Sequence, residues 1–144
     1  MGNVDQVRAK VQQILTENFS SVVIDSDGDF SLRRGSAQVF VRVWAREGSE
    51  PTFVAVTVPL LLEVKPSPEL FEFVAIHADD YVFGHLNASR RDDSIDIFLS
   101  HTLLGDYLDE AELDSAVGVL LGVADKLDDE LKAQFGGRRF HEDT

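Results

Sequence analysis

DEAELDSAVGVLLGVADKLDDELKAQF, residues Asp109–Phe135, is followed at once by Gly136-Gly137, and its spacing decides the fold. Leu113, Val117, Leu120, Ala124, Leu127 and Leu131 recur at alternating steps of four and three. That places them along one seam of an α-helix about 40 Å long at ~1.5 Å per residue. Asp109 is a good N-cap and Glu112 stands three residues on, so each side chain can satisfy a free backbone N–H of the first turn. At the far end Gly136 or Gly137 can take the left-handed conformation that closes helices, with Phe135 covering the last turn. A seam of that length needs a partner surface, and the upstream chain reads as the sheet that supplies it.

At ~100° per residue Ser115, Gly118 and Gly122 fall opposite the leucine seam. Two glycines inside a helix cost roughly 1 kcal/mol each relative to alanine, so a close approach at this back face is expected. It is either another element of the same chain or a second subunit. A membrane span is not expected, because the apolar run falls short of the ~20 residues a bilayer requires.

With 144 residues the chain suits one domain, 1–144, large enough for a core without staples. It has no cysteine, hence no disulfide framework and no thiolate chemistry. Met1-Gly-Asn-Val-Asp5 lacks the basic and apolar regions of a signal peptide, so a cytoplasmic location is expected. A formal charge of −13 argues against nucleic acid and anionic membranes, which are bound mainly by lysine and arginine. Within residues 109–132, eight Asp and Glu stand against two Lys, a net of −6. That is a solvated helix face or a docking surface for a basic partner.

Upstream, Val4, Val7, Val11, Ile14 and Leu15 make residues 3–18 a short amphipathic helix capped by Asn3. Val22–Ile24 and Phe30–Leu32 are brief β-type runs around Asp27-Gly28, a hairpin signal. Asp25, Asp27 and Asp29 imitate the first ligands of a calcium loop, but Phe30 and Ser36 stand where glycine and glutamate are needed. After a turn at Arg34-Gly35, residues 37–44 alternate: Val39, Val41 and Val43 on one face, Phe40, Arg42 and Trp44 on the other. The second face is either half covered by a neighbour or a peptide-contact face, since aromatics and arginine are common anchors. Glu47–Pro51 turns the chain into Thr52–Val58, whose β-branched and apolar run reads as a strand covered on both faces. Pro59 ends or bulges it before Leu60–Leu62.

Ser67-Pro68 starts a helix running to about Ala78. Tyr81–Leu86 and Ser94–Ser100 then flank a polar turn, Asn87–Asp93, with Ile95, Ile97 and Leu99 on one face. The order α-β-β-β-β-α-β-β-α is an α+β plan, helices laid on a mainly antiparallel sheet. Residues 138–144 read as a loose tail.

Chemistry is not legible. His77, His85, His101 and His141 have no metal-ligand spacing, and Ser100 and His101 point to opposite faces of a strand. No glycine loop of phosphate-binding type follows a strand. We therefore expect no catalytic residues, no metal and no cofactor.

The element order, together with Val39-Phe-Val-Arg-Val43, Ser67-Pro-Glu-Leu-Phe71, Tyr81-Val-Phe-Gly84, Leu127-Asp-Asp-Glu-Leu131 and Phe135-Gly-Gly137, resembles the YbjN family, its actinobacterial members most closely. That family has the type III secretion chaperone-like fold, and the resemblance runs from Val4 to Phe140. It implies a small, acidic, cytoplasmic homodimer that holds an extended, unfolded segment of a client against apolar patches and strand edges. No short motif of the family fixes client-contact positions. The expectation is a non-enzymatic, chaperone-like module for a protein or peptide client, with Phe40, Arg42 and Trp44 as candidate contacts and Ser115, Gly118 and Gly122 as a candidate dimer strip. The alternative is a regulatory adaptor that binds a folded partner through the acidic long-helix face.

Overall fold

Along residues 37–43 and 52–58 burial alternates from one side chain to the next. The computed structural model describes residues 3–46 and 51–142. Its elements are α1 (Asn3–Asn18), β1 (Val23–Ile24), β2 (Phe30–Arg34), β3 (Ala37–Ala45), β4 (Thr52–Val64), α2 (Pro68–His77), β5 (His85–Arg91), β6 (Ser94–Leu104) and α3 (Glu110–Phe135). This is the expected order. The six strands form one antiparallel sheet in the order β1-β2-β3-β4-β6-β5. The turn expected at Glu47–Glu50 lies outside the described residues.

One core serves the whole molecule. Val39, Val41 and Val43 of β3, Val54, Val56 and Val58 of β4, and Ile95, Ile97 and Leu99 of β6 are buried on one sheet face. They share a cluster with Val7, Val11, Ile14 and Leu15 of α1, Leu70 and Val74 of α2, and the whole leucine seam of α3. All three helices therefore bury their apolar sides against the same face. Asp109 caps α3 by accepting from the Glu112 N–H at 2.8 Å, which is one half of the expected reciprocal pair, and at the far end Gly136, at φ +76 and ψ −146, donates its N–H to the Lys132 carbonyl at 2.9 Å. In α2 the Ser67 hydroxyl caps Leu70 N–H at 3.1 Å with Pro68 in the first turn.

Local expectations change at β4 and at the last hairpin, and at Pro59 one of two open readings is selected. β4 is not covered on both faces: Phe53, Ala55 and Thr57 remain half-exposed, because every helix lies on the other side. Pro59 bulges the strand without ending it, and the register shifts between Pro59 and Leu61 and again before Val64. Glu63 there has φ +58, and its N–H is held by Asp96 at 3.1 Å, whose carboxylate also takes both arms of Arg91. The polar stretch Asn87–Arg91 is edge strand, and the hairpin closes at Asp92-Asp93 with Asp92 at φ +54. An edge strand shows one side to water, which is why its polar composition read as a turn.

The segment expected to be loose after Gly137 is pinned as far as Glu142. Arg138 and Leu62 exchange backbone hydrogen bonds at 2.8 and 2.9 Å, and Arg138 pairs with Glu63. Arg139 reaches Asp129 and Glu142, and Lys132 reaches Glu142. Lys132 and Asp129 on the helix end give this segment partners that composition alone does not reveal.

Nor is the acidic side of α3 wholly solvated. Asp128 is buried, 2 % exposed, with one oxygen accepting from the Ser36 hydroxyl at 2.6 Å and the other without a partner. Burial pushes its carboxyl above the ordinary value, against the pull of the Ser36 hydrogen bond. A folded-state value above the unfolded one means the proton-linked stability is present below about pH 3.9 and is lost as pH rises through the folded value. Asp128→Asn keeps the acceptor and removes the buried charge. We expect a higher melting temperature at pH 7 and a gain that fades toward pH 3–4; a variant no more stable at pH 7 would contradict this.

Candidate functional site

The sheet face turned away from the helices carries cross-strand rows of unequal character. Register places Trp44 opposite Phe53 and Phe53 opposite Leu104, one continuous apolar row across β3, β4 and β6. Trp44 and Phe53 touch, ring centroids 4.9 Å apart, and Leu104 is 54 % exposed. The next row is Arg42, Ala55 and Thr102, and the one after it Phe40, Thr57 and Ser100. Phe40, Arg42, Trp44, Ala45, Ala55 and Thr57 line a shallow groove of about 640 Å³, closed on one side by Asp29. The three residues singled out on β3 thus share one groove.

Its floor is small and its walls are aromatic because β-branched and small residues of β4 face larger ones of β3. Apolar side chains left half-exposed on a flat sheet are an adhesive surface. Arg42 is exposed above it. Asp29 is pushed up by burial and by the carboxylates of Asp25 and Asp27, with Arg42 pulling the other way. The groove therefore offers one cation, one soft carboxylate and aromatic faces. Asp25, by contrast, spends an oxygen on the N–H groups of Asp27 and Asp29, at 2.8 and 3.1 Å. It is a turn staple.

Sequence reasoning missed Phe53 and Leu104, whose contribution depends on register, and Phe140. The Phe140 ring stands edge-on to Phe40 with centroids 5.5 Å apart, so the segment after α3 abuts one end of the groove. An aromatic just past a double glycine was the available signal.

The strip of Ser115, Gly118 and Gly122 faces away from the core. Ser115 is exposed, a Cβ on Gly118 would meet nothing within 4 Å, and one on Gly122 would meet only the end of Arg34. Within the described residues, nothing makes the close approach to Gly118 that two helix glycines suggested. Val119 beside it is 39 % exposed.

The histidines are dispersed. His101 faces inward, its Nδ1 accepting from Gly84 N–H at 3.0 Å against the Phe83 ring. Burial, with His85 adding to it, keeps its pKa below the ordinary histidine value. His77 pairs with Asp80 and His141 lies on the Phe140 ring. Among the described residues no group of three or more His, Cys, Asp or Glu could hold a metal, and no helix is long and apolar enough to cross a membrane.

The comparisons with known proteins fit this geometry. A family model, TY-Chap1, described as type III secretion (YopN, CesT) and YbjN peptide-binding chaperone 1, matches residues 5–143. No curated protein matches by sequence. Among solved structures, the Yersinia pestis type III secretion chaperone SycH, in complex with a stable fragment of YscM2, is similar with a TM-score of 0.54. It is 12 % identical, and the likeness covers 82 % of this chain and 96 % of that one. At that identity the likeness speaks for the fold: an antiparallel sheet with helices on one side, as in a secretion chaperone. With nearly its whole length matched, the chain belongs to the family of type III secretion and YbjN peptide-binding chaperones.

Proposed function

We propose that the chain holds an extended segment of a client protein across the outer face of the sheet, with Phe40, Arg42 and Trp44 as principal contacts. The observation that carries this is the uncovered row Trp44–Phe53–Leu104 above a groove lined by Phe40 and Arg42. Aromatic rings supply contact area at low entropic cost, and an exposed arginine can bond client carbonyls or carboxylates. A second source of affinity is strand addition, for which β5 presents an exposed edge and Val23 and Ile24 of β1 another. The role is a binding one, without catalysis, and membership in a peptide-binding family supports this. We also propose a cytoplasmic homodimer, with Ser115, Gly118 and Gly122 as the seam, supported by the open strip along α3.

The test is capture of reduced, carboxymethylated α-lactalbumin, a permanently unfolded protein, by the chain and by the variant Phe40→Ser, Arg42→Ser, Trp44→Ser. These side chains lie outside the core, so the variant should keep its circular dichroism. Binding is expected to weaken by at least about tenfold, since each removed anchor is worth about 1 kcal/mol or more. It should survive 0.5 M salt, whereas an acidic docking face on α3 would lose most of its affinity there. Undiminished capture by a folded variant would sink the groove assignment. In the same samples, sedimentation should give twice the chain mass, reduced to one by Gly118→Arg; a monomer before substitution would sink the seam.

A further inference from the structure

The groove already has an occupant at one end. β3 stops pairing with β4 at Phe40 opposite Thr57, while β4 runs on to Val64, paired on its other side with β6. The side of β4 that β3 leaves open is filled by Arg138, which exchanges two backbone hydrogen bonds with Leu62. Two residues on, Phe140 lays its ring edge-on to Phe40, a wall of the groove. Arg138 itself meets Glu63, Nε to Oε2 at 2.9 Å. This short segment thus makes one backbone bridge and places a cation on a carboxylate at Arg138, then turns, with the Glu142 N–H donating to the Arg139 carbonyl at 3.1 Å, and sets the Phe140 ring on the groove wall.

The attachment is shallow. Gly136 and Gly137 both have positive φ, 76 and 79°, and a Cβ on Gly137 would stand 2.8 Å from the Leu62 oxygen, so glycine permits the approach. Beyond that, residues 138–142 hold on through ion pairs with partly exposed partners, Arg139 to Asp129 and Glu142, and Lys132 to Glu142. Lys132, then Arg139, hold the Glu142 carboxyl down at about 2. Such pairs are weak individually, and the segment buries no fully enclosed apolar side chain.

We propose that residues 138–142 are an internal competitor for the client groove, and that the client displacing them is a segment that pairs with Leu62 through a basic residue and places an aromatic one two positions on. The charge fits, since Glu63 and the acidic end of α3 around Asp129 flank the seat of this segment. This rests on the groove reading above and adds both the client's chemistry and its regulation. Strand pairing at Leu62 sets the client's direction, antiparallel to β4.

The test uses the full chain and a fluorescein-labelled peptide with the sequence of residues 136–142, Gly-Gly-Arg-Arg-Phe-His-Glu, followed by fluorescence anisotropy. In the variant Arg138→Ser, Phe140→Ser the chain's own segment can no longer compete. We expect the peptide to bind this variant about tenfold or more tighter than the unaltered chain, and a peptide with alanine for its phenylalanine to bind neither. Introducing Glu63→Lys into the variant should weaken the peptide, and a peptide with glutamate for its first arginine should recover the loss. Equal affinity for variant and unaltered chain, or no binding to a folded variant, overturns the proposal. Carboxymethylated α-lactalbumin separates the two levels of failure. If both chains capture it equally, the groove reading stands and the competitor falls; if neither does, the groove reading falls and takes the competitor with it.

Discussion

Leu120→Ala is expected to cost about 2–5 kcal/mol of folding stability, read as a fall in the urea midpoint with an unchanged slope. Leu120 is fully buried at the middle of α3, where the seam crosses the valines of β3 and β4. Truncation removes its buried methyl groups and leaves a cavity in a wall formed by a helix and a sheet, neither of which can collapse without breaking hydrogen bonds. The neighbouring Val119, 39 % exposed on the other side of the helix, is the internal comparison. Val119→Ala loses little contact and improves helix propensity, so its change should lie within about 0.5 kcal/mol. A Leu120 variant as mild as the Val119 variant would mean that α3 does not pack in this orientation.

Gly35→Ala should destabilise by about 2 kcal/mol or more, through two causes that can be separated. Gly35 sits at φ +58 in the β2–β3 turn, where a Cβ costs roughly 1 kcal/mol or more by itself. That Cβ would also overlap the Asp125 carboxylate, which approaches to accept from Ser36 N–H at 3.2 Å and from the Ser36 hydroxyl at 3.3 Å. The turn and α3 are thereby joined, Asp125 and Asp128 gripping Ser36 from adjacent turns of the helix. In an Asp125→Ala background the overlap disappears and only the backbone cost remains. Gly35→Ala should then cost less than in the parent, and the difference measures the crowding. Equal costs in both backgrounds would show that the turn and the helix are not in contact.

These sites show where sequence reading carries and where it stops. α3 was legible from Asp109 to Gly136 because capping chemistry and a helical period are local properties, decided within about one turn of chain. The inward valines of β3 and the isoleucines of β6 were legible for the same reason, since alternation assigns a face without reference to any neighbour. β5 was not: Asn87, Ser89, Arg90 and Arg91 have the composition of a turn, and only an edge position makes such residues acceptable in a strand. Asp128 looked like one more acid on a solvated helix and lies beneath the Ser36 turn. Nothing in a one-dimensional pattern tells which turn will dock there.

The candidate site divides the same way. Phe40, Arg42 and Trp44 stood out because an aromatic–cation–aromatic alternation is conspicuous within one strand. Their groove, however, is built with Ala55 and Thr57 of β4, and the adjoining apolar row with Phe53 and Leu104. Those partners are chosen by inter-strand register, which depends on the bulged course of β4. Residues 138–142 make the contrast sharpest: polar and short, they have no local reason to be ordered. Their order comes from contacts made at a distance, Leu62 and Glu63 on one side, Lys132 and Asp129 on the other. By itself the sequence determined the helices, the number and order of strands, and the faces turned to the core, since caps, turns and apolar period act over a few residues. Only the tertiary structure decided that all three helices cover one face, that the other stays open, and that the segment after α3 sits at its end, because these depend on which surfaces meet.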